Sequence, residues 1–145
     1  MIYNQYHFTI PEGKMARLII NTDAKNEADD QYAIVHGLLS PKFDNRGIIA
    51  AHFGEEKSSH SMMDSYDEIV KVLDLMDFPK DLAFKGAEHA LPDEKTPVES
   101  EGARLIIEEA MKPSEDPLYV IFLGPLTDMA SAYLMEPRIA NRLTC

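Results

Sequence analysis

The chain predicts an α/β fold with a mostly parallel sheet flanked by helices, and three features carry that reading. Short continuous apolar runs at residues 18–20, 48–51 and 118–123 have the length and composition of strands buried on both faces. Segments with helical spacing separate them, and such alternation favours parallel strands joined by crossover helices. The first run also ends in a carboxylate, Asp23, and the pair Asp29-Asp30 opens the helical pattern that follows. Acidic groups then stand at the carboxyl end of a strand, where open α/β sheets bind ligands.

In order along the chain, residues 17–22 read as a buried strand with a polar exit, and residues 29–40 as a helix that Pro41 ends. Residues 46–53 are the second strand, since Ile48, Ile49, Ala50 and Ala51 are too continuous to be half exposed. Ile69, Leu73 and Met76 recur at helical spacing within 61–78, and Ser61 with Asp64 forms a capping-box pattern at its start. Residues 82–85 suit a short strand, and the polar stretch 89–98 an exposed loop. A helix beginning at Ser100 or Glu101 runs to Pro113, residues 118–123 form the next strand, and 125–135 the last helix. The methionines, Met62, Met63, Met76 and Met111 among them, fall within or beside helices as core or gap filler. The expectation is a Rossmann-like domain over residues 17–145, preceded by an N-terminal extension, residues 1–16.

At 145 residues the chain is long enough to bury a core. Its net charge of −11 argues against a nucleic-acid partner, because phosphate recognition needs a basic surface. Cys145 is the single cysteine, so no disulfide can form within the chain. The longest apolar run is far too short to span a bilayer, and residues 1–17 lack the apolar core of a signal peptide. A soluble, cytoplasmic protein is expected, with no membrane partner. Asp23, Asp29 and Asp30 would repel one another, so a positive group is expected among them, and a hard divalent cation is the natural candidate.

Two passages raise a resemblance to a known family. Asn21-Thr22-Asp23-Ala24-Lys25-Asn26-Glu27-Ala28-Asp29-Asp30 resembles the N-terminal acidic signature of the nucleoside hydrolases, the inosine–uridine-preferring type included. Gly124-Pro125-Leu126-Thr127 resembles their Gly-Pro-Leu-Thr segment. The resemblance implies a calcium-dependent hydrolase of N-glycosidic bonds in ribonucleosides. It makes Asp23 a Ca2+ ligand and the acceptor of the attacking water's proton, and Asp30 a further metal ligand. Asp29 is implied at a ribose hydroxyl, and Thr127 offers the metal its backbone carbonyl.

The chain also departs from the family pattern. Asn21 stands where members usually have Asp, and five residues, 24–28, lie between Asp23 and Asp29 in place of a shorter loop. The longer loop brings Asn26 near the pocket. His52 stands where members usually offer an Asn to the substrate, and both Asn26 and His52 are candidate substrate contacts. The chain ends at Thr144-Cys145, where another strand is expected. The expectation is therefore the N-terminal half of a divergent member, truncated relative to the full family domain, with possible self-association or pairing with a C-terminal half. Its partner is a small-molecule substrate, a nucleoside or related sugar. The alternative on the same fold is a non-catalytic sugar- or ligand-binding module, or an inactive fragment.

Two other acidic α/β designs fail on residues. A phosphoryl-acceptor receiver domain needs an Asp after its third strand, and 82–86 has none; an Asp-x-Asp phosphatase needs a nucleophile where Asn21 stands.

Overall fold

The computed structural model describes Gly13 and residues 16–145. The expected extension over residues 1–16 therefore lies outside the described residues apart from Gly13 and Ala16. Four parallel strands, β1 (Ala16–Thr22), β2 (Phe43–Ala50), β3 (Ala83–Lys85) and β4 (Leu118–Phe122), form one sheet in the order β3-β2-β1-β4. They alternate with helices α1 (Asp30–Leu39), α2 (Ser61–Leu75), α3 (Glu101–Met111) and α4 (Thr127–Met135). Single 3-10 turns at Lys80–Leu82 and Pro137–Asn141 were not expected. The second strand runs from Phe43 to Ala50 rather than over 46–53, starting three residues earlier than expected because Phe43, Asp44 and Asn45 already pair with β1.

The period-two alternation of β1 divides the core. Leu18 and Ile20 pack with Ile34 and Leu38 of α1 and with Met62, Ile69 and Leu73 of α2. Ile19 packs on the other face with Ile106 of α3, Ala132 of α4 and Leu118 and Val120 of β4. All seven residues of β1 are buried, as a central parallel strand requires. β4 is covered on one face only: Leu118 and Val120 are buried, whereas Tyr119 and Ile121 are 41% and 37% exposed. Thr144 lies beside Tyr119 in parallel, donating its N–H to the Leu118 carbonyl and accepting from Val120.

The capping box is a correction. His60 is the N-cap of α2 and makes no side-chain cap bond; Ser61 is the first helical residue. Its hydroxyl instead accepts the Phe53 N–H, and Asp64 accepts from Ser58. The helix start is thus tied to the β2 exit rather than closed on itself.

At the amino end of the sheet a buried carboxylate, Glu109, is neutralised by three bases. Arg46 meets it with two nitrogens at 3.2 Å, Arg17 Nη1 lies 3.4 Å away, and Lys112 pairs with its other oxygen. Burial pushes the Glu109 carboxyl up, but the hydrogen bonds and charges of Lys112 and Arg46 outweigh it and hold the pKa below the ordinary glutamate value. This group stabilises the fold above its unfolded pKa, and the contribution is lost as pH falls through the folded value. Glu109→Ala strands Arg17, itself buried, without its carboxylate. We expect that variant to lose about 3–5 kcal/mol in urea unfolding at neutral pH, and to lose less at pH values where Glu109 of the native chain is already protonated.

Candidate functional site

Strand order reverses between β1 and β4, which opens a crevice beyond their carboxyl ends. Asp23 leaves β1 at this point and faces the turn after β4. A Cβ on Gly124 would sit 2.7 Å from both Cγ and Oδ1 of Asp23, so only glycine lets the two strand exits approach this closely. Asn26 folds back on the same carboxylate: its Nδ2 donates to Asp23 Oδ2 at 3.0 Å, while its Oδ1 accepts from Lys57. Both of its side-chain groups thus have protein partners, and it braces Asp23.

Asp30, buried in the first turn of α1, accepts from Thr22 Oγ1 at 2.5 Å. Its pKa is raised, by burial first and then by the charges of Asp23 and Asp29 and a hydrogen bond with Asp23; the Thr22 bond opposes this without winning. No basic side chain is among these influences. Asp29 stands apart as the exposed N-cap of α1, its carbonyl engaged by Tyr32 and Ala33. Asp23 and Asp30 are thus the two buried carboxylates at the crevice, and Asp29 is the exposed one beside them. Among the described residues no three His, Cys, Asp or Glu side chains are placed to hold a metal ion.

Across the crevice, His52 leaves β2 and its Nε2 lies 2.9 Å from Thr127 Oγ1. Burial lowers the His52 pKa; Asp128 and Asp23 pull it up, His89 pushes it down, and the net direction is downward. The ring is thus biased to its neutral form, and its buried Nδ1 has no partner. Neither Thr127 nor Asp128 caps the helix that they begin. Leu126 is the N-cap of α4, without a side-chain cap bond, and the two residues after it point inward.

Asp128 is the site residue that sequence reasoning missed. It is 1% exposed and accepts from Asn21 Nδ2 at 2.9 Å, Ala87 N–H at 2.9 Å and Ser100 Oγ at 2.6 Å. A Cβ on Gly86 would lie 2.3 Å from the Ala50 carbonyl and 2.5 Å from Asp128 Oδ2, so the turn after β3 is glycine to admit this carboxylate. Ser100 is also the N-cap of α3, accepting the Ala103 N–H at 2.9 Å.

The donors around the crevice are suited to a hard cation in chemistry: two close carboxylates lacking a base, and the buried, unpartnered Oδ1 of Asn21 two residues before Asp23.

Residues 17–139 match the sequence model of a family described as "Cellulose-binding Sde182, nucleoside hydrolase-like domain". The chain belongs to that family. Among solved structures, it is similar to a nucleoside hydrolase-related hypothetical protein from Saccharophagus degradans that is associated with carbohydrate metabolism. The TM-score is 0.66 at 19% identity, over 90% of this chain and 38% of that one. It is also similar to an inosine-guanosine nucleoside hydrolase, with a TM-score of 0.59 at 26% identity over 88% of this chain and 45% of that one. The chain thus spans less than half the length of either structure. No curated protein matches it. Among the described residues, no helix is long and apolar enough to cross a membrane.

The electrostatics of Asp30 make a testable statement. A carboxyl with a raised folded pKa contributes stability that is complete below its unfolded pKa and is lost as pH rises through the folded value. In chelator, the melting temperature of the native chain should therefore fall relative to Asp30→Asn between about pH 4 and neutrality. Parallel curves in a fluorimetric melting series would remove the raised pKa from the account.

Proposed function

We propose that this domain carries the metal- and sugar-binding part of a hydrolase site for N-glycosidic bonds, with ribonucleosides as the substrate class. The buried Asp23–Asp30 pair at the β1–β4 crevice is the observation that carries the reading, because two carboxylates without a basic partner are a cation site by charge and by donor type. Ca2+ suits an all-oxygen set: Asp23 and Asp30 would hold it, with the Thr127 carbonyl and water completing the shell. Its chemical contribution when bound is to ease the loss of a proton from water. Asp23, braced by Asn26, takes that proton. Asp29, exposed at the start of α1, accepts from a ribose hydroxyl, and His52, held by Thr127 at Nε2, is a further substrate contact. Asn26 stands at the pocket mouth, where the long loop brings it beside the ligand. Fixed negative charge beside the ribose stabilises an oxocarbenium-like transition state.

A second reading, sugar binding without turnover, is favoured by two specific observations. The buried imidazole of His52 is biased to its neutral form, which is a poor acid for a leaving base, and the matched family is described as cellulose-binding. Completion of the sheet alongside Thr144, by a second copy or by a C-terminal half, belongs to either reading; a monodisperse monomer in light scattering counts against self-association.

Calorimetric titration of Ca2+ into chelator-treated protein should show saturable binding that Asp30→Asn lowers at least tenfold, on the order of one lost charged ligand. Calcium-dependent release of ribose from inosine or uridine supports hydrolysis. Sugar-induced stabilisation with no release selects the second reading, and no heat with calcium in either protein rejects both as metal-dependent functions.

A further inference from the structure

Asp128 is buried, pairs with no base among the described residues, and is unused by the chemistry proposed above. All three groups that reach its oxygens are donors: the Asn21 amide, the Ala87 N–H and the Ser100 hydroxyl. A protonated carboxyl would turn its own O–H toward one of them, so the network fits the carboxylate. The facing side chain must then donate, which Asn21 does through Nδ2 while its Oδ1 stays buried without a partner. An Asp at position 21 would oppose two buried carboxylates at hydrogen-bond distance. The pair accommodates one negative charge, and the sequence puts it on α4 rather than at the end of β1.

That placement bears on the crevice. Positions 21 and 23 are two apart on one strand exit, so their side chains leave the same side of the sheet about 6–7 Å apart. A charge at position 21 would lie beside Asp23, whereas on Asp128 it lies beyond the Asn21 amide. We propose that Asn21 and Asp128 form a charge-placing pair of positioning residues, which braces the two strand exits and holds a third carboxylate away from Asp23 and Asp30, and so sets how tightly the crevice holds a divalent cation. This inference rests on the cation site proposed above, and it assigns no contact between Asp128 and substrate.

The orphaned Oδ1 of Asn21 makes the pair testable by exchange. In Asp128→Asn, the new amide oxygen can keep Ala87 and Ser100, and its nitrogen can donate to a flipped Asn21. In Asn21→Asp combined with Asp128→Asn the same bond forms with the charge now on β1. Four proteins, the native chain, both single variants and the exchanged pair, are melted in chelator and titrated with Ca2+ alone. Asn21→Asp should lose about 5 °C or more, Asp128→Asn only a few degrees, and the pair should recover most of the loss. The exchanged pair should bind Ca2+ about three- to tenfold more tightly than the native chain, and Asp128→Asn more weakly than either. Additive melting shifts, or an exchanged pair that binds no more tightly than Asp128→Asn, overturn the inference while native calcium binding leaves the site reading standing. Calcium uptake absent from all four chains overturns the site reading and this inference with it. A merely structural role would restore melting in the exchanged pair and leave its calcium affinity at the native value.

Discussion

The carboxyl edge of this domain is organised by the buried carboxylate of Asp128. Its hydrogen bonds reach the exit of β1 at Asn21, the turn after β3 at Ala87 and the N-cap of α3 at Ser100, while the preceding residue, Thr127, reaches the exit of β2 at His52. Four segments distant in sequence are therefore tied to the first turn of α4. Asp23 gains its position from the same arrangement, because the chain between β4 and α4 passes Gly124 against its side chain. Removing a buried acceptor of three donors costs more than the bonds themselves, since each donor is left desolvated.

The two ends of the sheet handle buried negative charge in opposite ways. At the amino end, Glu109 has two arginines and a lysine, and the end is electrostatically closed. At the carboxyl end, Asp23 and Asp30 face one another and His52 is biased neutral, so the charge is left open. An unfilled electrostatic demand at one end of a fold whose other end is fully compensated marks a place for a ligand better than the overall acidity does, because most of the surplus carboxylates are solvated surface groups.

The fold was legible in the sequence because its signals are local. The apolar runs of β1, β2 and β4 and the helical spacing of Ile69 and Leu73 each sit within a single element, and the structure places them as expected. The acidic signature and Gly124 to Thr127 were legible through resemblance, and the family match extends over 17–139. What escaped were partnerships across distance. Asp128 has partners 28, 41 and 107 residues away, and nothing next to it in sequence separates a hub from a helix cap. The exposure of Asp29 beside the buried Asp30 is likewise invisible in their adjacency, because on a helix start neighbours diverge by about 100°. The Ser61–Asp64 pattern failed because the helix begins one residue earlier than a Ser61 cap requires: His60 is the N-cap, and the Ser61 hydroxyl accepts from Phe53.

The clamp at the start of α4 has a consequence for recognition. Segments leaving all four strands are fixed by buried side-chain bonds or glycine contacts before any ligand arrives. Little rotamer or loop freedom remains to be lost on association, so selectivity falls to shape and hydrogen-bond complementarity rather than to adaptation. The groups that line the crevice are thus held in place by the fold itself, and their geometry belongs to the chain alone.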